Sequence, residues 1–80
     1  MQRIELNSTG LQTAAYQDQP ALLELEFRSG AIFRYFGVPV HTYQELLLAE
    51  SKGAYFNHHI RNRFPYAKVS QTANPSRQRG

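Results

Sequence analysis

Between Leu23 and Phe36 the apolar residues recur with a period of two on both sides of a glycine, and that pattern leaves the chain few folds to choose from. Leu23, Leu25 and Phe27 alternate with Glu24, Glu26 and Arg28, the spacing of a strand with one face buried and the other wet. Gly30 then closes a hairpin into a second strand, Ala31 to Phe36. The length of the loop decides which aromatics face the core. A loop of Ser29-Gly30 sets Leu25 opposite Arg34 and turns a guanidinium inward. A loop of Arg28-Ser29-Gly30, with Gly30 in the left-handed position of a bulge, sets Phe33 opposite Leu25, Tyr35 opposite Leu23, and Arg34 opposite Glu24 on the outside. The second register is the one predicted.

The flanking segments extend this core. Leu11 to Tyr16 reads as a strand, broken by Gln17-Asp18-Gln19-Pro20, where Asp and Pro favour a tight loop. Ile4 and Leu6 alternate with polar neighbours, but that run is short and ends in the turn-forming cluster Asn7-Ser8-Thr9-Gly10. After the hairpin, Gly37-Val38-Pro39 marks the passage into a helix. Thr42-Tyr43-Gln44-Glu45 has capping-box spacing, so the helix is predicted to start between Pro39 and Thr42, with Val40, Tyr43, Leu46 and Leu47 on one face. Ser51 is a suitable N-cap for a second helix, in which Phe56, Ile60 and Phe64 recur at four-residue spacing until Pro65 stops it. Gly53 would cost roughly 1 kcal/mol in a helix interior, which suits the first turn or a close helix contact. Strands followed by helices predict an α+β fold: a small antiparallel sheet of three to four strands, followed by two short helices packed on one face.

Composition sets the limits on stability and organisation. Eighty residues make a single domain, and a domain of this size buries only about 60% of the surface of its unfolded chain. There is no cysteine to staple it, so the five Phe and five Tyr must supply much of the core. Residues 1–67 are predicted to form the domain. Residues 68–80, almost free of apolar groups, are predicted to be a disordered polar and basic tail. No stretch has the length or hydropathy of a membrane span, and Met1-Gln2-Arg3-Ile4-Glu5 offers no apolar signal region, so a cytoplasmic protein without a membrane partner is expected.

Charge is unevenly spread. Arg3, Arg28 and Arg34 against six acids give −3 for residues 1–50, while Lys52, Arg61, Arg63, Lys68, Arg77 and Arg79 give +6 for residues 51–80. Six basic and six acidic residues fall in positions 1–67, so the predicted domain is formally neutral. Its polarity nonetheless favours a polyanion on the second half.

The run Phe27-Arg28-Ser29-Gly30-Ala31-Ile32-Phe33-Arg34-Tyr35-Phe36-Gly37-Val38-Pro39, followed by Tyr43, Leu46, Ala49, Ser51-Lys52-Gly53-Ala54-Tyr55-Phe56-Asn57 and Ile60-Arg61, resembles the KTSC domain, named for the C-terminus of some lysyl-tRNA synthetases. The likeness covers roughly residues 4–66. It implies a domain that also occurs as stand-alone bacterial proteins of this size, with no enzymatic activity attached and RNA binding suggested. The family's central Tyr-x-Tyr reads Phe33-Arg34-Tyr35 here, which removes one hydroxyl but keeps both rings.

Several residues are candidates for contact with a partner. Phe33 and Tyr35 have the pairing of a base-stacking platform, although the predicted register sets them on the buried face, where packing is the plainer role; Tyr55 and Phe56 carry the same two readings. Lys52, Asn57, Arg61 and Arg63 form a basic group on the second helix, with Arg34 as a further contact. The alternative for that group is a solvated helix face whose Arg61 and Arg63 complement the helix dipole. His58 and His59 point about 100° apart on a helix and make no i, i+4 zinc pair, and His59 is expected to pack beside Tyr55. No metal or cofactor is expected, and no Ser-His-Asp or Cys-His arrangement is legible; the acids, on strand exteriors and loops, are expected to stay ordinary. The reading is therefore a small non-catalytic binding module that contacts RNA or another polyanion through a basic second helix. The alternative is a protein-interaction module that recognises an acidic or extended peptide through a sheet edge or through Ile32 and Phe36.

Overall fold

A computed structural model describes residues 1–71. Four strands, β1 (Gln2–Glu5), β2 (Leu11–Gln17), β3 (Leu22–Phe27) and β4 (Ala31–Phe36), are followed by helices α1 (Val40–Leu48) and α2 (Lys52–His59) and a last strand, β5 (Tyr66–Gln71). All neighbours in the sheet order β1-β2-β3-β4-β5 are antiparallel. The fold is α+β, with five strands where three to four were expected.

The central hairpin has the predicted register: Leu25 faces Phe33, Leu23 faces Tyr35 and Glu24 faces Arg34. Gly30 adopts φ 95, a conformation that costs a side-chain-bearing residue steric strain, and its N–H closes the turn on the Phe27 carbonyl at 2.9 Å. Leu11, Ala14, Leu23, Leu25 and Tyr35 from the sheet meet Val38, Leu46, Phe56 and Ile60 in one buried cluster. The helices thus cover one sheet face. Tyr43 of α1 stacks on Tyr16 with ring centroids 4.9 Å apart, and Tyr16 Oη donates to the Val38 carbonyl at 2.6 Å.

The extra strands come from the two ends. β1 forms despite its short run, lying on the sheet edge with all four residues exposed. β5 takes up Lys68 to Gln71, which had been expected to begin the tail; the remainder of that expected tail, 72–80, lies outside the described residues. Residues 66–69 are exposed, so this part of β5 is held by its ladder on β4 and by contact of Tyr66 with Phe33 and Tyr35 rather than by burial.

α1 starts at Val40, within the predicted bounds, with Pro39 at the N-cap position, but three details of the helix ends differ from expectation. Thr42 is buried inside the helix instead of capping it. Val40, expected on the buried face, is 45% exposed in that first turn. α2 is capped as predicted, the Ala54 N–H donating to Ser51 Oγ at 3.2 Å, but it stops at His59 rather than running to Pro65. The Phe56 carbonyl accepts from both Ile60 and Arg61, and Asn62 takes a left-handed φ of 63, which Asn tolerates better than most residues. Arg61 and Arg63 consequently sit in a turn, not on the helix.

The uncovered face of the sheet is more organised than a wet strand exterior. Glu24 and Glu26 are both buried. Glu24 is clamped between Arg3 and Arg34, with Arg34 Nε donating at 2.9 Å. Thr13 Oγ1 accepts from Arg3 and donates to Glu26, each at 2.9 Å. Burial alone would push the Glu24 carboxyl up, but the hydrogen bonds and charges of Arg34 and Arg3 outweigh it and hold the group below the usual carboxylate value. Glu24 is therefore not the ordinary acid expected from its strand position.

Candidate functional site

On the helix face, β3, β4 and β5 leave an open groove of about 530 Å³ alongside α2 and the turn that follows it. Its floor is aromatic because the alternation of the hairpin puts Phe27, Phe33 and Tyr35 on the inner face, and α2 lowers Phe56 onto them. The rings interlock edge to face: Phe27 with Phe33 at 5.7 Å, Phe27 with Phe56 at 5.4 Å, and Tyr35 with Phe56 at 5.5 Å. Tyr66, 57% exposed, forms one wall beside Phe33 and Tyr35, at 5.8 and 5.7 Å. The opposite wall carries Gly53, Asn57, Arg61 and Asn62, and Gly10, Leu11, Ser29 and Ala31 lie at the far end.

Gly53 falls in the first turn of α2, and beyond its own helix backbone and chain neighbours a Cβ there would meet nothing within 4 Å, so no close helix contact explains it. The early end of α2 swings Arg61 and Asn62 to the rim. Opposite Phe33 in the β4–β5 ladder is Lys68, which emerges on the same face and is exposed. No acid is among the groove's lining residues, whose one formal charge is that of Arg61.

Tyr35 is only 5% exposed. Its phenol is pushed up to about 12, chiefly by burial, with the neighbouring Tyr66 hydroxyl adding to the rise and the Arg61 guanidinium opposing it. The hydroxyl therefore remains a proton donor throughout the neutral range.

The groove draws together five of the nine residues singled out from the sequence: Phe33, Tyr35, Phe56, Asn57 and Arg61. The other four lie elsewhere. Lys52 Nζ donates to the Ala49 carbonyl at 3.0 Å, tying off the end of α1. Arg34 belongs to the Glu24 clamp on the opposite face. Arg63 is exposed in the turn beyond the groove. Tyr55 donates to Glu45 at 2.6 Å and stacks on His59 at 4.4 Å, as expected for His59, so it links the two helices. Tyr66 and Phe27 are the aromatic lining residues that sequence reasoning passed over. For Tyr66 the signal was its alternation with Lys68 directly after Pro65. Among the described residues no three His, Asp or Glu side chains come together as a metal site, and no helix is long and apolar enough to cross a membrane.

Residues 7–64, the hairpin, both helices and the turn that carries Arg61, match the KTSC domain. The chain belongs to the KTSC domain family. A KTSC domain protein from Yersinia pestis has a crystal structure similar to this one, with a TM-score of 0.83 at 30% sequence identity, covering 86% of this chain and 97% of that one. An uncharacterised protein of Stutzerimonas stutzeri is 44% identical over 57 residues, 71% of this chain and 80% of its own length. A lysine–tRNA ligase of Nostoc is 42% identical over 67 residues, but these are 81% of this chain and only 12% of the ligase. In this KTSC domain the groove is built mostly within the matched segment, and Tyr66 and Lys68 come from the strand just after it.

Proposed function

We propose that this KTSC domain is a non-catalytic module that binds single-stranded RNA in the aromatic groove. The observation that carries the reading is the meeting of an exposed aromatic wall, Tyr66 beside Phe33, with Arg61 and Asn57 in a groove lined by no acid. Single-stranded nucleic acids are held by such pairs of features, rings that stack on bases and cations that meet phosphates. The groove falls within the usual size range of small-ligand sites, enough for one or two nucleotide units rather than a duplex. A matching segment within lysine–tRNA ligases adds support. The basic group of the second helix contributes less than its sequence suggests, since only Asn57 and Arg61 face the groove and Lys52 is tied to the Ala49 carbonyl. The groove has no histidine or carboxylate to act as a base, which favours binding over catalysis.

The test is an anisotropy titration of a short single-stranded RNA at two salt concentrations. Affinity should fall as salt rises, because phosphate contacts release counterions. Tyr66→Ala should weaken binding by about 1–3 kcal/mol, the worth of one stacked base, and Arg61→Ala should reduce the salt dependence. Absence of binding at low salt would overturn the reading. An extended peptide is the second reading, favoured by the position of β5 at the sheet edge beside the groove; a pull-down that survives nuclease treatment would support it.

A further inference from the structure

Two half-buried tyrosines of this domain find a partner for the hydroxyl: Tyr16 donates to the Val38 carbonyl and Tyr55 to Glu45, each at 2.6 Å. Tyr35 does not. It is 5% exposed, it lines the groove, and no hydrogen bond joins its hydroxyl to another described residue. A buried donor without an acceptor is costly and uncommon, and it points to a group that arrives from outside. The ring is held by Phe56 and Tyr66, which fixes it on the groove floor.

We propose that Tyr35 Oη is the recognition donor of the groove, giving a hydrogen bond to an acceptor on the edge of one unpaired nucleobase that lies against Tyr66 and Phe33, while Arg61 and Asn57 hold that nucleotide's phosphate. The proposal rests on the RNA reading above and deepens it. Depth separates the two halves of the ligand. A phosphate, strongly hydrated, belongs at the rim, where Arg61 and Asn57 are exposed. A flat ring with oxygen or nitrogen acceptors on its edge suits the floor, where aromatic faces surround one donor. All four bases carry such an acceptor, so the device separates a nucleobase from a bare phosphate chain and not one base from another. The absence of acids from the lining gives the charge complementarity that the phosphate needs.

The deciding experiment compares wild type and Tyr35→Phe for binding to a short uridine oligonucleotide and to its abasic counterpart, at one low salt concentration, with a thermal melt of each protein. Phe keeps the ring, as position 33 already does, and removes only an unpaired hydroxyl, so the melting temperature should hold or rise. The variant should bind the uridine oligonucleotide about 10-fold more weakly, the worth of one hydrogen bond from a buried donor, and should bind the abasic chain as wild type does. Wild type should itself prefer the uridine oligonucleotide. Equal uridine affinity for the two proteins would overturn the role of Tyr35 and leave RNA binding standing. Equal affinity of wild type for both chains would overturn the base pocket, and this arm does not depend on the folding of any variant. Binding of neither chain would overturn the RNA reading and this proposal with it.

Discussion

Removing the two arginines that hold Glu24 should cost more stability than removing Glu24 itself. The asymmetry follows from burial: the Glu24 side chain is 8% exposed, whereas those of Arg3 and Arg34 are 38% and 45% exposed. When Glu24 is replaced by Gln, both guanidinium groups can turn to water, and the loss should be about 1 kcal/mol. Each arginine alone replaced by Met, which keeps an apolar stem, should also cost about 1 kcal/mol because the second arginine remains. The double variant Arg3→Met/Arg34→Met leaves a buried carboxylate with no cation, and its cost should approach about 3 kcal/mol. Non-additivity of that kind is expected of one network. With a urea slope of about 1 kcal/mol per molar, the midpoint should fall by about 3 M for the double variant and about 1 M for Glu24→Gln. Acidity provides an independent check. The carboxyl lies below its ordinary value in the folded state, so its stabilisation is complete above the unfolded value of about 4.3 and is lost as pH falls through the depressed folded value. The gap between wild type and the double variant should therefore narrow in acid, where both carry a neutral Glu24. Strictly additive single losses, or a Glu24→Gln loss exceeding that of the double variant, would refute the reasoning.

Two further outcomes can be measured without a ligand. Ser51→Ala removes the acceptor for the Ala54 N–H and should lower stability by about 1 kcal/mol in a thermal melt. In an alkaline absorbance titration Tyr35 and Tyr55 should ionise late, at about 12, Tyr35 chiefly through burial and Tyr55 through burial and the Glu45 carboxylate. Because both folded values are raised, their stabilising contribution is complete below the ordinary phenol value of 10.0 and is lost as pH rises through about 12; phenolate appearing uniformly near the ordinary value would contradict the burial of Tyr35.

The hairpin register was legible because one alternative turned Arg34 into the core, a cost large enough to decide it from sequence. The cap of α2 was legible because a single side chain, Ser51, makes it. β5 was not, because its sequence carries little apolar patterning and the strand is held by backbone pairing along β4. The end of α2 was hidden by the regular spacing of Phe56, Ile60 and Phe64, although the backbone leaves the helix at Ile60 and Asn62 takes a left-handed turn. Burial of Glu24 depends on Arg3, 21 residues away in sequence and two strands away in the sheet. Candidate site residues were recognised by type, as aromatics and cations. Their sorting between two faces of the sheet depends on pairing that no local pattern states: Arg34 and Tyr35 are adjacent in sequence and lie on opposite faces. Tyr66, the most exposed ring of the groove, was overlooked as a site residue because β5 was read as the end of the domain.

The groove account is tested most directly by mapping amide chemical shifts while a short single-stranded RNA is added. The shifts should concentrate at Phe33, Tyr35, Asn57, Arg61, Tyr66 and Lys68, on the helix side of the sheet, with Glu24 and Ile32 on the other side unmoved. Shifts gathered instead around Ile32, Arg34 and Phe36, or none at all at low salt, would contradict it.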